Sequence, residues 1–87
     1  MLLFNLINPA ADLTELAQLC TPADTVLLRQ DAVYLVLQPT LPFACSVLAL
    51  ASDIAWRNIS APTHIQLINA QEWVQLTAAA NKSILWR

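Results

Sequence analysis

Three side chains in this sequence could act as a nucleophile or a base: Cys20, Cys45 and His64. A cysteine thiolate can attack and hold a persulfide, and a nearby histidine can serve as a general base. Cys20 has no basic residue near it in sequence, and Cys45 begins an apolar run. We therefore expect both cysteines to be apolar core residues, with Cys20 as a sulfur acceptor the alternative.

His64 is the only histidine, and it has no second ligand at metal spacing. Zinc sites need three or four ligands, so we predict no metal site and interpret His64 as a strand-edge or surface residue. The chain also has no glycine. Loops that cradle phosphates need glycine for close backbone approach, which argues against a nucleotide cofactor. We therefore predict no bound cofactor.

The acidic residues are the other candidates for acid–base chemistry: Asp12, Glu15, Asp24, Asp31, Asp53 and Glu72. Four of them, Asp12, Glu15, Asp53 and Glu72, lie at predicted helix starts, where capping and the helix dipole explain a carboxylate. Asp31 instead follows a predicted strand, at the sheet edge where α/β proteins bind ligands. We expect it to be a helix cap rather than a ligand-binding residue.

The elements that would position these residues alternate between strands and helices. Apolar runs predict strands at 1–7, 25–29, 45–50, 65–68 and 84–86. Capping signals predict helices after Asp12, Ser52-Asp53 and Asn69. The segment 32–37 is ambiguous, because its β-branched residues favour a strand while Gln30-Asp31 could cap a short helix. The pattern predicts one α/β domain over 1–87, with four or five mainly parallel strands and helices on both faces.

The composition predicts a chain that associates with others. Of its 87 residues, 57% are apolar and 11% are charged, against an average of about 25% charged. So small a domain cannot bury that much apolar side chain, and exposed apolar patches usually mark interfaces. Trp73 is predicted to be core, whereas Trp56 and Trp86 are the candidate interface residues.

Charge and hydropathy exclude other classes of partner. The net charge of −2 leaves no basic footprint for nucleic acid. No apolar run approaches the length of a membrane-spanning helix, and Met1–Asn5 lacks the basic start of a signal peptide. We expect a cytoplasmic protein with free thiols and no membrane partner.

Several segments together resemble the TusB/DsrH family of DsrE-like sulfur-relay proteins. They are the opening strand and turn through Asn8-Pro9, the run Leu27-Leu28-Arg29-Gln30-Asp31-Ala32-Val33, the pair Asp53-x-x-x-Arg57, the helix Glu72-Trp73-Val74-Gln75-Leu76-Thr77, and Trp86. The resemblance runs nearly the whole length. Ala32 and Asn58 stand where the family usually has glycine, and the stretch 38–44 is shorter than usual.

The resemblance implies a fold and a function. The implied fold is a DsrE-like three-layer α/β/α sandwich, in which 32–37 is helical. The implied function is that of a subunit of a cytoplasmic sulfurtransferase complex, in which TusC- and TusD-like sisters pass persulfide sulfur toward 2-thiolation of the tRNA wobble uridine. The main reactive cysteine would belong to a sister, so this chain would be mainly structural. The alternatives are a small persulfide carrier using Cys20, a subunit of a dissimilatory sulfur-oxidation complex, or a stand-alone adaptor. The isolated chain could also form a homo-oligomer.

Overall fold

A five-stranded sheet, parallel throughout, forms the centre of the computed structural model, which describes residues 1–87. Its strands are β1 (Leu2–Leu6), β2 (Thr25–Leu28), β3 (Ser46–Leu50), β4 (Gln66–Ile68) and β5 (Lys82–Trp86). Across the sheet their order is β4-β3-β2-β1-β5. The first three crossovers therefore step in one direction, and the last returns past β1 to the opposite edge. The prediction of an α/β fold with a parallel sheet is confirmed.

The helices are α1 (Leu13–Leu19), a 3-10 helix (Gln30–Leu37), α2 (Ala51–Trp56) and α3 (Ala70–Ala79). Two of them begin as the capping signals predict. The Asp12 carboxylate accepts from the amide of Glu15 at the start of α1. Asn69 and Glu72 form a full capping box at the start of α3. Each cap satisfies amides that the first turn of a helix otherwise leaves without partners.

Helices lie on both faces of the sheet, but unequally. On one face, residues of α1, the 3-10 helix and α2 join Phe4, Val26 and Leu28 in a cluster of 12 buried residues. On the other face, α3 alone packs against four buried residues, through Trp73, Leu76 and Ala80. Because three crossovers step one way and one returns, right-handed connections place three helices on one face and one on the other.

The ambiguous segment after β2 is a helix, as the resemblance implies. Ala32 and Leu35 are buried, as are Val33 and Val36. Residues three apart eclipse one another in a 3-10 helix, so one face of it carries all four apolar side chains into the core. Burial against the sheet thus outweighs the β propensity of the two valines. The stretch 38–44 that follows contains no helix.

Two capping predictions are wrong. α2 begins at Ala51 with Leu50 as its N-cap residue and no side-chain cap, so Asp53 lies inside the first turn. The 3-10 helix begins at Gln30 with Arg29 as its N-cap residue, also uncapped, so Asp31 is not a cap either. Both carboxylates accept hydrogen bonds from the Arg57 guanidinium instead. α3 ends at Ala79, and β5 begins three residues later at Lys82.

The end of α2 explains one departure from the family pattern. Asn58 has φ 52°, in the left-handed region. Its amide donates to the carbonyl of Ala55 at 3.1 Å, and the amide of Ile59 donates to that of Ile54 at 3.2 Å. These two bonds form a Schellman motif, whose left-handed position favours glycine and then asparagine. Asn58 therefore fills the place of the family's glycine with the next best residue.

We expect Asn58→Ala to lower the free energy of unfolding by about 1 kcal/mol, because a β-carbon is disfavoured in the left-handed region. Asn58→Gly should stay within a few tenths of a kcal/mol of the parent. Asn58 is exposed, so packing does not obscure the comparison. Urea unfolding of the three proteins measures it. Equal stability of the Ala and Gly variants would contradict the assigned backbone conformation.

Candidate functional site

Asp31, Asp53 and Arg57 meet at the carboxyl end of the sheet, where ligands commonly bind in α/β folds. The Arg57 guanidinium donates to Asp31 at 3.0 and 3.1 Å, and to Asp53 at 3.3 Å. The second carboxylate oxygen of Asp53 accepts from the amide of Gln30 at 2.9 Å. The cluster thus ties the start of the 3-10 helix to α2.

The single cation of this cluster, Arg57, lies between two carboxylates. Partial burial acts to lower the pKa of Arg57, but the hydrogen bond and charge of Asp31, together with the charge of Asp53, outweigh it and raise that pKa overall. Both carboxylates hydrogen-bond to the permanent cation of Arg57, which joins the two segments that carry them. We interpret the cluster as a structural clamp. The spacing of Asp53 and Arg57, four apart on a helix, is the signal from which this contact could have been predicted.

Arg29 lies at the same end of the sheet, on the face covered by α3. Its guanidinium stacks over the ring of Trp73, 4.1 Å from the ring centre. Trp73 also packs against the smaller core cluster, as predicted for a core residue. The Nε of Arg29 is buried without a hydrogen-bond partner. Nothing in the local sequence signals this contact, because the two residues are far apart along the chain.

The two cysteines lie at the opposite end of the sheet. Cys20 ends α1, and Cys45 immediately precedes β3. Thr25 and Ser46 are neighbours in the sheet, so Cys45 sits beside the start of β2. Cys20 is one of the buried residues of the larger apolar cluster, Cys45 is half-buried and packs against it, and both are free thiols. Cys20 is 8% exposed, which agrees with the core role expected for it.

A pocket of about 330 Å³ adjoins Cys45. Leu41, Phe43, His64 and Ile65 are among the residues that line it. Cys45 and His64 come from loops before neighbouring strands, so the fold brings together the nucleophile and base types that are well separated in sequence. The pocket lies at the amino end of the sheet, away from the edge where α/β ligands bind.

The environment of Cys45 opposes nucleophilic catalysis. Burial, the neighbouring Cys20 thiol and the negative charge of Asp24 raise the pKa of the Cys45 thiol to about 12. A reactive cysteine needs the opposite shift, which a nearby cation or a helix N-terminus provides. At neutral pH only a small fraction of Cys45 is thiolate, so it reacts slowly with sulfur donors.

Asp24 holds the turn that brings Cys20 toward Cys45. One carboxylate oxygen accepts from the amide of Leu2 at 2.9 Å, and the other from the amide and hydroxyl of Thr21 at 2.9 and 3.0 Å. The bonds from the amides of Leu2 and Thr21 are the main causes that lower the pKa of this nearly buried carboxyl. Its role is structural, although nothing in the sequence around it signals a cap.

The lowered pKa of Asp24 predicts a loss of stability in acid. A carboxyl whose pKa is lower in the folded state stabilises the fold above its unfolded value of about 3.9, and that contribution is lost as the pH falls through the folded value. We expect Asp24→Asn to melt at a lower temperature than the parent at pH 7, and the difference to shrink below pH 4. Thermal melts between pH 2 and 7 measure this, and a difference that does not change with pH would contradict it.

The two tryptophans predicted to lie at an interface are in different settings. Trp56, at the end of α2, is 83% exposed. Trp86 is half-buried, and its ring meets Phe4 edge-on with the centroids 6.4 Å apart. Other large apolar side chains are exposed as well, among them Leu37, Val74 and Leu85. An exposed tryptophan without a partner in its own chain is the kind of residue that anchors a protein interface.

No three metal-ligating side chains lie together in the fold. None of the helices is long and apolar enough to cross a bilayer.

Comparison with known protein families shows to which family this chain belongs. The model of the family described as "DsrH like protein" matches residues 8–83. The chain belongs to the DsrH-like family. The family is one of the sulfur-relay type, as the sequence resemblance indicated. A comparison with curated protein sequences gives no match.

A solved structure shows the same fold. The chain is similar to protein Tm0979 from Thermotoga maritima, whose structure was determined by NMR in solution. The TM-score is 0.72 at 22% sequence identity, over 90% of this chain and 92% of that one. This DsrH-like chain thus has a fold found in an experimental structure, and the α/β architecture expected from the sequence is confirmed.

Proposed function

We propose that this DsrH-like chain is a subunit of a cytoplasmic sulfurtransferase complex, with TusC- and TusD-like sister subunits as its partners. The chain contributes to the assembly of this complex, and the complex supports 2-thiolation of the wobble uridine in tRNA. The observation that carries the proposal is the match of the family model over residues 8–83.

The chemistry of the two thiols supports a role in assembly rather than in sulfur transfer. Cys45 has a pKa raised to about 12, mainly by burial. Cys20 is 8% exposed and is a core residue of the larger cluster. The alternative of a small persulfide carrier using Cys20 needs an accessible thiolate at that position. A sister subunit with an activated cysteine therefore supplies the sulfur-carrying group in our proposal.

The distribution of apolar side chains supports association with other chains. Only α3 covers the second face of the sheet, and none of its residues is fully buried. Trp56 projects from α2 with 83% of its surface exposed. Both edge strands, β4 and β5, carry backbone groups that no strand of this chain pairs. Surfaces of this kind are costly in a monomer and favourable in an interface.

Co-expression tests the partners. The tagged chain should co-purify with TusC- and TusD-like proteins of the same cell, and sedimentation should show a hetero-oligomer of defined mass. The chain sedimented alone provides the control, since it separates self-association from assembly with the sisters. A chain that sediments unchanged when mixed with both sisters would contradict the proposal and favour a stand-alone adaptor. Co-purification with dissimilatory sulfur-oxidation proteins would instead favour the alternative pathway.

A further inference from the structure

We propose that Cys20 and Cys45 form a thiol–disulfide exchange site that low-molecular-weight disulfides oxidise to an intramolecular disulfide through the pocket beside Cys45. The two cysteines are the only ones in the chain. They come from different elements, the end of α1 and the start of β3, yet the fold packs them into one cluster. The proposal does not depend on the partners of the chain.

The turn between α1 and β2 fixes the relative position of the two thiols. The amide of Asp24 donates to the carbonyl of Thr21 at 2.9 Å, so the chain reverses directly after Cys20. The side chain of Asp24 fixes the same turn through its bonds to Thr21 and Leu2. The pairing of Thr25 with Ser46 then places Cys45 beside this turn. Cys20 Sγ donates to the carbonyl of Ala17 at 3.7 Å, at the end of α1, and Cys45 packs against the same apolar cluster.

The pocket defines which thiol meets an oxidant first. Cys45 is half-buried and lines the space of about 330 Å³, whereas Cys20 is 8% exposed and does not line it. The walls are partly apolar, with His64 as the one titratable neighbour there besides Cys45. A space of this size can admit the S–S end of a low-molecular-weight disulfide to Cys45. Cys45 is therefore the attacking thiol, and Cys20 is the resolving thiol.

The exchange balances in two steps. The Cys45 thiolate attacks one sulfur of the small disulfide R–S–S–R, which breaks the S–S bond and releases one RS⁻ that takes up the proton lost by Cys45. The Cys20 thiolate then attacks Sγ of Cys45 in the mixed disulfide, which forms the Cys20–Cys45 bond and releases the second RS⁻ with the proton from Cys20. The protein dithiol is oxidised, and the small disulfide is reduced to two thiols.

The surroundings predict a slow reaction with a stable product. The groups that face Cys45 are Cys20, Asp24 and His64, and no lysine or arginine is among them. Strongly oxidising dithiols owe that property to a stabilised thiolate, and this pair lacks one. Below the raised pKa of Cys45, the rate should increase about tenfold for each unit of pH.

Oxidised glutathione is the probe, and the full-length folded chain is the sample. After incubation, free thiols are blocked with iodoacetamide and the chain is digested with trypsin without reduction. Arg29 and Arg57 place Cys20 in the peptide 1–29 and Cys45 in the peptide 30–57. We expect these two peptides to be linked, with no dimer of the chain. Two carbamidomethylated peptides after prolonged incubation, or linkage only between chains, would overturn the proposal.

Single serine variants test the order of the two steps. In Cys20→Ser, a glutathione adduct should accumulate on Cys45, because the resolving thiol is absent. In Cys45→Ser, Cys20 should stay unmodified until the chain is unfolded in urea. The same order can be measured in the parent protein, where Cys45 should react with iodoacetamide before Cys20. Faster modification of Cys20 in the folded parent would contradict the assignment.

Discussion

Trp56→Ala should weaken association with the sister subunits by about thirtyfold or more, with the fold unchanged. Truncating a central aromatic anchor commonly costs about 2 kcal/mol of binding free energy, and each 1.4 kcal/mol is roughly tenfold in affinity. Trp56 is 83% exposed in the isolated chain, so its loss removes little from the core. Titration with the sister subunits measures the affinity, and circular dichroism checks the fold.

Val74→Ala is a matched control for this experiment. Val74 is also apolar and exposed, at 66%, but it lies on α3, on the opposite face of the sheet. We expect a much smaller loss of affinity than for Trp56→Ala, because Trp56 on α2 is the proposed anchor. Loss of affinity with Val74→Ala and none with Trp56→Ala would place the interface on the α3 face. No change in either variant would mean that the anchor lies elsewhere.

Trp86→Ala is a less clean test of the interface, because the residue contributes to both association and folding. Its ring packs edge-on against Phe4, which belongs to the larger core cluster. Aromatic pairs of this geometry contribute about 0.5–1.5 kcal/mol beyond their buried area. A weaker complex of this variant therefore counts as evidence for an interface only if its stability is measured alongside.

Leu28→Ala should lower the free energy of unfolding by about 3 kcal/mol, within the range of 2–5 kcal/mol for buried leucines. Leu28 is fully buried on the central strand β2, beneath the three-helix face. A domain of this size has a total stability of roughly 4–13 kcal/mol, so the loss is a large fraction of it. Urea unfolding monitored by circular dichroism provides the measurement.

Leu37→Ala is the matched control for the core. Leu37 is 60% exposed at the end of the 3-10 helix, and its truncation should change stability by less than about 0.5 kcal/mol. Equal stability of Leu28→Ala and Leu37→Ala would contradict the burial of Leu28 beneath the three helices.

The sequence carries most of the fold because its strongest signals are local. Apolar runs at strand length and the caps at Asp12 and Asn69 depend only on nearby residues, and the structure contains the elements they predict. The segment after β2 is different, because it contains two β-branched valines and its helical form depends on burial against the sheet. Intrinsic propensity does not decide whether this segment is a strand or a helix, whereas the family resemblance predicts a helix.

The candidate site is less predictable because it depends on contacts between distant segments. Cys20 and Cys45 come together only because β2 pairs in parallel with β3. Cys45 and His64 line the same pocket only because β3 pairs with β4. Asp31 illustrates the same limit. From the sequence it was an expected helix cap, whereas its partner is Arg57, 26 residues away. Local patterns predict caps well, but they do not predict which cation a carboxylate will meet across a fold.

The content of 2-thiouridine in tRNA is the most direct test of the central claim, that this chain supports sulfur transfer by assembly and not through its own thiols. The gene is deleted in its native cell, and one of three versions is then supplied. These are the parent, the double variant Cys20→Ser with Cys45→Ser, and Trp56→Ala. We predict that deletion abolishes the thiolated nucleoside, that the double cysteine variant restores it, and that Trp56→Ala restores it poorly. Unchanged 2-thiouridine after deletion, or its loss in a double cysteine variant that still assembles, would contradict the account.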